Sequence, residues 1–379
     1  MLDGVSSVLR VGFVGAGIGA AHAAGLQRQD GVEIAAVCTR RRERAERMAA
    51  RYRIPAVYTD HQEMLAREQL DLVVIATPND LHYPLTLDAL ASGAHVVCEK
   101  PLALTVDEAR EMERRAEAAG AKAFVPFVLR YLPAAAYVKE ILDSGFIGEP
   151  YLVAVHCWTA ADRNEQMHWH FDREQAGSGA LANIGSHVIH LVDWWLGGLT
   201  RVCSKATTAV PQRVWPDGTA AAVHVDDTVS FLGELSNGAS AVFSVSMVTL
   251  VQLCEVRIEI FGSDGAVSFI DDWGADDAMT GRVQAMRRED HVRARVPIPD
   301  RLVGEFTGAP DFDSPFRGNF GRMAAEWVKS VRGQDAPGAA TFRDGVRVQE
   351  VMDAVLRSSA EERWVDIEYG AATPSGRRD

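Results

Sequence analysis

A glycine-rich turn is the first strong constraint on this chain. Gly15-Ala16-Gly17-Ile18-Gly19-Ala20 follows directly on an apolar run at residues 8–14 and opens a stretch at 18–29 with helical spacing. Gly15 permits a tight turn, Gly17 lets the backbone approach a diphosphate, and small Ala20 allows close packing of the helix on the strand. The N-terminus of that helix offers N–H groups and the positive end of a dipole to an anion. Strand, turn and helix in this order predict a dinucleotide site, with Gly15, Gly17, Ile18 and Gly19 against the cofactor.

The first third of the chain repeats this alternation. Apolar runs at 32–38, 70–76, 94–98 and 123–127 read as strands, and 41–52, 85–92 and 106–119 read as helices between them. Such alternation predicts a doubly wound parallel sheet, here residues 1–127. After Pro133 a helix at 134–144 and a strand at 150–158 precede a helix at 180–196. Strands at 227–234, 239–247, 254–262 and 266–270 follow, joined by Ser236-Asn237-Gly238 and Ser263-Asp264-Gly265. Short turns of this kind predict antiparallel pairing. The expected fold class is α/β: an N-terminal Rossmann sheet, then an α+β domain at 128–370 with a large, open, mostly antiparallel sheet. Helices at 316–332 and 343–360 close it, and 371–379 reads as a loose tail.

With 379 residues, two domains are the natural division. A net charge of −13 argues against nucleic-acid or anionic-membrane partners, which need a basic field. Residues 1–10 lack the cationic start of a signal peptide, and no apolar stretch is long enough to span a bilayer. Cys38, Cys98, Cys157, Cys203 and Cys254 are scattered and odd in number, which suits reduced thiols in a cytoplasm.

Ligands of open α/β sheets bind beyond the carboxyl ends of the strands. Glu99-Lys100-Pro101 ends one such strand, and Lys100 is one of few lysines in a chain whose surface cation is arginine. A lysine, unlike a guanidinium, can be tuned by burial to share a proton near neutral pH. Thr77-Pro78-Asn79, with His82 after it, lies on the same edge. At the end of the second strand, where an acid would hold the ribose hydroxyls of NAD, the chain reads Thr39-Arg40-Arg41-Arg42. Guanidiniums there oppose the helix dipole, and a 2′-phosphate would relieve that conflict, so NADP is expected over NAD.

Further on, Asn183 and His187 stand four apart in a helical pattern and are expected to reach one ligand. Trp158, Arg163, Trp169 and His170 offer aromatic faces and polar tips suited to a carbohydrate ring. His168, His170, His187 and His190 lack a carboxylate or cysteine set at ligand spacing, and no metal is expected.

Together, the glycine turn, Thr77-Pro78-Asn79, Glu99-Lys100-Pro101 and the run Gly179 to His187 resemble the Gfo/Idh/MocA oxidoreductases. The resemblance implies nicotinamide-dependent oxidation or reduction of a secondary alcohol on a sugar, pseudosugar or cyclic polyol, and homodimers or homotetramers assembled through the second sheet. It implies that Lys100 and His187 handle the proton, with Glu99, Pro101 and Arg130 also near the cofactor and a Lys100-Pro101 bond that is often cis. Relatives carry Asp where this chain has Asn183. The amide keeps the reach but not the charge, so Lys100 and His187 should lose their protons more easily. The first helix also carries its histidine, His22, one residue nearer the turn than relatives do. Two other classes stay open on sequence: a sugar or NADP sensor without redox turnover, and a redox-neutral glycoside hydrolase using NAD.

Overall fold

The computed structural model describes residues 8–160, 166–251, 253–273, 280–304 and 317–370. Strands β1 (Leu9–Val14), β2 (Val32–Cys38), β3 (Ala56–Tyr58), β4 (Leu72–Ile75), β5 (His95–Cys98) and β6 (Ala123–Phe124) form a parallel sheet ordered β3-β2-β1-β4-β5-β6. Helices α1 (Gly19–Leu26), α2 (Arg42–Tyr52), α3 (His61–Glu68), α4 (His82–Ala91) and α5 (Val106–Ala118) make the crossovers. Because helices cover both faces, β4 is an unbroken buried apolar run, Leu-Val-Val-Ile. A capping box between Thr105 and Glu108 fixes the start of α5. Strand order reverses between β1 and β4, which opens a crevice beyond their carboxyl ends.

The chain continues through α6 (Pro133–Asp143), β7 (Pro150–Thr159), α7 (Arg173–Ala176), a π-turn at Leu181–Gly185 and α8 (Ser186–Leu196). Then come β8 (Leu199–Thr207), β9 (Gln212–Val214), β10 (Ala220–Ala222), β11 (Thr228–Leu235), β12 (Ser240–Ser246), β13 (Cys254–Gly262), β14 (Gly265–Asp272), β15 (Arg282–Arg287) and β16 (Ala294–Val296). Helices α9 (Asp300–Val303), α10 (Arg317–Val331) and α11 (Phe342–Glu361) precede the edge strand β17 (Val365–Asp366). Nine of these strands form one sheet ordered β16-β15-β14-β13-β7-β12-β11-β8-β17, and β9 and β10 form a separate ribbon. Among the described strands of the large sheet only β7 and β12 pair in parallel. The α/β class and the open, mostly antiparallel second sheet are as expected.

Alternation along β7 decides which side chains meet the site. Val153, Val155 and Cys157 are buried, and Cys157 Sγ lies 4.0 Å from the Ile184 carbonyl on the helical side. The intervening residues face the open side, where Leu232, Val242 and Ala154 stand side by side across three strands.

The first sheet is completed from far along the chain. Helix α10 lies on α1 so closely that a Cβ at Gly25 would overlap the Phe320 carbonyl group. Trp327, fully buried, packs with Phe124 and His22, and Val125 N donates to the Ala340 carbonyl.

Candidate active site

The glycine turn has the shape a diphosphate requires. Gly15 has φ +106°, and a Cβ there would overlap the Ala76 carbonyl oxygen, so this position admits only glycine. At Gly17 an added Cβ would meet nothing within 4 Å; this is the open cradle, with exposed Ile18 beside it. Gly19 is buried, its Cβ position 3.5 Å from both Ala76 and Phe13, and it sets how closely α1 rides on the sheet. The N-terminus of α1 carries no side-chain cap. These residues fit a dinucleotide.

At the end of β2, Thr39 Oγ1 donates to the Arg41 carbonyl at 2.6 Å, and Arg40 and Arg41 are exposed. Arg42 turns along the helix to Glu46 at 3.7 Å. On the loop after β4, the Asp80 carboxyl is pushed up by burial and pulled back in part by a backbone N–H and by neighbouring charges, Arg40 among them.

Three of the expected cofactor contacts are corrected by the structure. His82 is fully buried and spans two loops, Nδ1 at 2.9 Å from the Pro101 carbonyl and Nε2 at 3.2 Å from the Thr77 carbonyl. It fixes the edge of the sheet and has no face left for a ligand. Glu99 points inward, with Oε1 2.6 Å from His22 Nε2 and Oε2 accepting from Lys100 N at 3.0 Å. Arg130 is buried among α8 and α11: Nη1 is 3.5 Å from both His190 Nε2 and Asp344, and its guanidinium lies 4.5 Å over Trp194. Each of these side chains is buried and takes its partners within the protein, as buried polar groups do. His22, despite its shifted position, meets Glu99 directly.

Lys100, by contrast, faces the crevice. Its Nζ donates to the Asn183 carbonyl at 2.8 Å and to Asn183 Oδ1 at 3.3 Å, and the Lys100-Pro101 peptide is cis. Burial lowers the ammonium pKa below its ordinary value, and the Glu99 carboxylate offsets this only in part. Asn183 does not sit in a regular helix as its spacing implied. The segment Leu181–Gly185 is a wide turn in which Ser186 N–H donates to the Leu181 carbonyl, five residues back. Such turns recur at functional sites. Here the Asn183 and Ile184 carbonyls both meet side chains from outside the helix, Lys100 and Cys157. Asn183 Nδ2 rests on Met247 Sδ at 3.3 Å.

His187 lies one turn beyond, edge-on to Phe127 at 6.2 Å, with its Nδ1 buried and unpartnered. Its imidazole is held well below the ordinary histidine range by burial first, then by the charge of Lys100 and by His190. Both groups are thus shifted toward their neutral forms, by burial before any other cause.

One pocket gathers Asn79, Lys100, Pro101, Trp169, His170 and Asn183. Asn79 is anchored by Nδ2 to the Ala176 carbonyl at 3.0 Å, and Thr77 Oγ1 lies 3.2 Å from the Pro78 carbonyl in the same loop. Trp169 and His170 stack on each other at 3.6 Å. Trp158 is a further correction. It stacks on His156 and donates Nε1 to Ser244 Oγ at 3.0 Å on the open side of the sheet, because Cys157, one residue before, takes the site-facing position. Arg163 lies outside the described residues. Among these residues no three His, Cys, Asp or Glu side chains converge as metal ligands would, and no helix is long and apolar enough to cross a membrane.

Sequence reasoning missed Ser178, which lines the pocket, and buried Asp226, which holds it. Asp226 accepts from Ser178 Oγ at 2.6 Å, Gly179 N at 2.9 Å and Leu181 N at 2.8 Å, shaping the loop that leads into Asn183. The adjacent acids Asp226-Asp227 before an apolar strand were the available signal.

A parallel nucleotide-type sheet with its crevice closed by a second, largely antiparallel domain defines a two-part dinucleotide protein. Residues 9–127 match the model of the GFO_IDH_MocA oxidoreductase family, NAD-binding Rossmann fold, and residues 139–367 match that of its C-terminal alpha/beta domain. The chain belongs to this oxidoreductase family. It is similar to inositol 2-dehydrogenase 4 of Saccharopolyspora erythraea, 30% identical with 97% of this chain and 95% of that one covered. Levoglucosan dehydrogenase of Pseudarthrobacter phenanthrenivorans is 28% identical, with 86% and 87% covered. Among solved structures, a levoglucosan dehydrogenase in complex with NADH and L-sorbose superposes with TM-score 0.85 at 25% identity, covering 95% of this chain and 99% of that one.

Proposed function

We propose that the protein oxidises or reduces a secondary alcohol on a sugar, pseudosugar or cyclic polyol, with Lys100, Asn183 and His187 at the reacting carbon. The observation that carries this reading is the Lys100–Asn183 contact, made beyond the carboxyl ends of the parallel strands in a pocket walled by Trp169 and His170. The dehydrogenases among its relatives support the substrate class. Nicotinamide, when bound, supplies the hydride acceptor or donor. Lys100 Nζ has three donors, of which Asn183 takes two, and the third holds the substrate oxygen as charge develops on it. His187, neutral at pH 7 because burial and Lys100 disfavour its cation, takes the hydroxyl proton. Asn79, Pro101 and the glycine turn position the dinucleotide, and Trp169 and His170 meet the ring of the substrate. Assembly as a homodimer or homotetramer through the open face of the second sheet is part of the proposal, supported by Leu232 and Val242, exposed and adjacent there. So is a cytoplasmic site of action, in keeping with free cysteines throughout the described chain.

The test follows nicotinamide absorbance with purified protein, both oxidised cofactors and a panel of monosaccharides, anhydrosugars and inositols. Tight cofactor binding with no change in absorbance for any member would defeat the reading.

The same reading takes NADP(H) over NAD(H), supported by the absence of an acid at the end of β2 and by exposed Arg40 and Arg41. Replacing both, Arg40→Ala with Arg41→Ala, should weaken NADP binding about tenfold or more and leave NAD nearly unaffected, a change of the size expected for lost charge-assisted bonds. Equal weakening of both cofactors in a calorimetric titration would refute the preference.

Asn183 also sets the pH range. A carboxylate at this position, 3.3 Å from Lys100 Nζ, favours the charged forms of Lys100 and His187. The depressed His187 pKa lets the wild-type base stay unprotonated well below pH 6.5. In Asn183→Asp the acid limb of kcat/KM should therefore move to higher pH by about one unit or more. An acid limb that stays in place would show that 183 does not act on the base.

A further inference from the structure

The ribbon β9–β10 lies outside both sheets and is held beside the pocket by several independent contacts. Asp227 accepts from Ala209 N at 2.8 Å and Val210 N at 2.7 Å at its base, next to Asp226, which shapes the pocket loop. At its tip Met167 N donates to the Val214 carbonyl at 2.8 Å, and Gln166 bridges to Val214. Between them, Arg213 is 1% exposed, and its guanidinium lies 3.6 Å above the ring of Phe171. Phe171 touches His168 at 4.6 Å, and His168 meets His170 at 5.0 Å between centroids, with their Nδ1 atoms 3.1 Å apart. His170 stacks on Trp169. A continuous line of planar groups thus runs from the ribbon to the pocket wall.

We propose that this ribbon is a specificity element, and that Arg213 is its positioning residue, fixing the Trp169–His170 wall through the touching, mutually tilted Phe171 and His168 rings. The proposal rests on the reading that this wall meets the substrate. A guanidinium suits the task because it is planar and stacks, which an ammonium does not reproduce. Arg213 does not line the pocket itself and acts through Phe171, so its effect falls on recognition of the substrate ring and not on proton or hydride transfer.

The experiment uses the full-length protein with Arg213→Leu, Arg213→Lys and Phe171→Leu. In Arg213→Leu and Phe171→Leu the KM for the sugar or polyol should rise about tenfold, while kcat and cofactor affinity stay within about twofold. The preference between a six-membered ring and a smaller polyol should narrow. Arg213→Lys should fall between, since it keeps the charge and loses the plane. Trp169 emission, taken as the difference from Trp169→Phe in each background, should shift in the same order. An unchanged KM and emission in variants that fold would overturn the proposal, as would parallel loss of KM, kcat and cofactor affinity. If the wild type reduces no cofactor with any sugar or polyol, the functional reading has failed; the wall itself is then judged by emission alone, and an unmoved Trp169 signal overturns its dependence on Arg213.

Discussion

Lys100→Ala should lose about a thousandfold in kcat/KM while binding the dinucleotide within about threefold of the wild type. Removal of one preorganised donor to a developing oxyanion costs a hundred- to a thousandfold. Here the same deletion also strips Asn183 of its partner at 2.8 Å and removes a charge that adds to burial in holding His187 neutral. The second effect makes a distinct mark: without the neighbouring cation the imidazole takes up protons more readily, so the residual activity should show an acid limb at higher pH. Steady-state rates across pH, beside a titration of cofactor affinity, check both parts. Residual activity above about a tenth of wild type would remove Lys100 from the chemistry.

Gly15→Ala should nearly abolish cofactor binding and destabilise the fold by about 3 kcal/mol. A methyl at this position overlaps the Ala76 backbone, and φ +106° is closed to alanine, so neither rotamer nor side-chain adjustment relieves it. The turn must move, and with it the hydrogen bond from Gly15 N to the Cys38 carbonyl at 2.9 Å that joins β1 to the end of β2. Gly17→Ala is the matched control. Its Cβ meets no protein atom, so stability should hold while the diphosphate is crowded out. Denaturant midpoints and dinucleotide titrations on both variants separate the two; equal stability of Gly15→Ala and wild type would contradict the steric argument.

The parallel sheet was readable from sequence because its strands are apolar on both faces and its turns carry their own chemistry. Val32–Cys38 falls at the residues the pattern marks, and so does the alternating strand Cys254–Gly262 of the second sheet. β8 was not readable: its residues are Leu-Thr-Arg-Val-Cys-Ser-Lys-Ala-Thr, of which only Leu199 and Val202 are buried, and Ser204 and Ala206 hydrogen-bond to α11. β3 and α3 are short, and α3 buries only Met64. At the site, residues that face the crevice from a loop, such as Lys100 and Asn79, were legible because loop position alone aims them. His82, Glu99 and Arg130 were not, since their partners are the Pro101 carbonyl, His22, and a group on α8 and α11, which only the fold brings near. Trp158 was misread by a single place in a period of two. The wide turn at Leu181–Gly185 has no sequence mark of its own, yet it decides how Asn183 meets Lys100.

The docking of α10 on α1 bears on how the polypeptide is made. By the time β6 has left the ribosome, every strand of the parallel sheet exists, but the surface around Gly25 and His22 that Phe320 and Trp327 will cover is still bare. At roughly 5–20 residues per second, the covering helix arrives on the order of ten seconds or more later. Through that interval the nascent sheet carries an apolar scar, and a chaperone or the emerging second domain must shield it. A chain released by a ribosome that stalls before Arg317 is therefore exposed and adhesive, its binding turn complete and its core not.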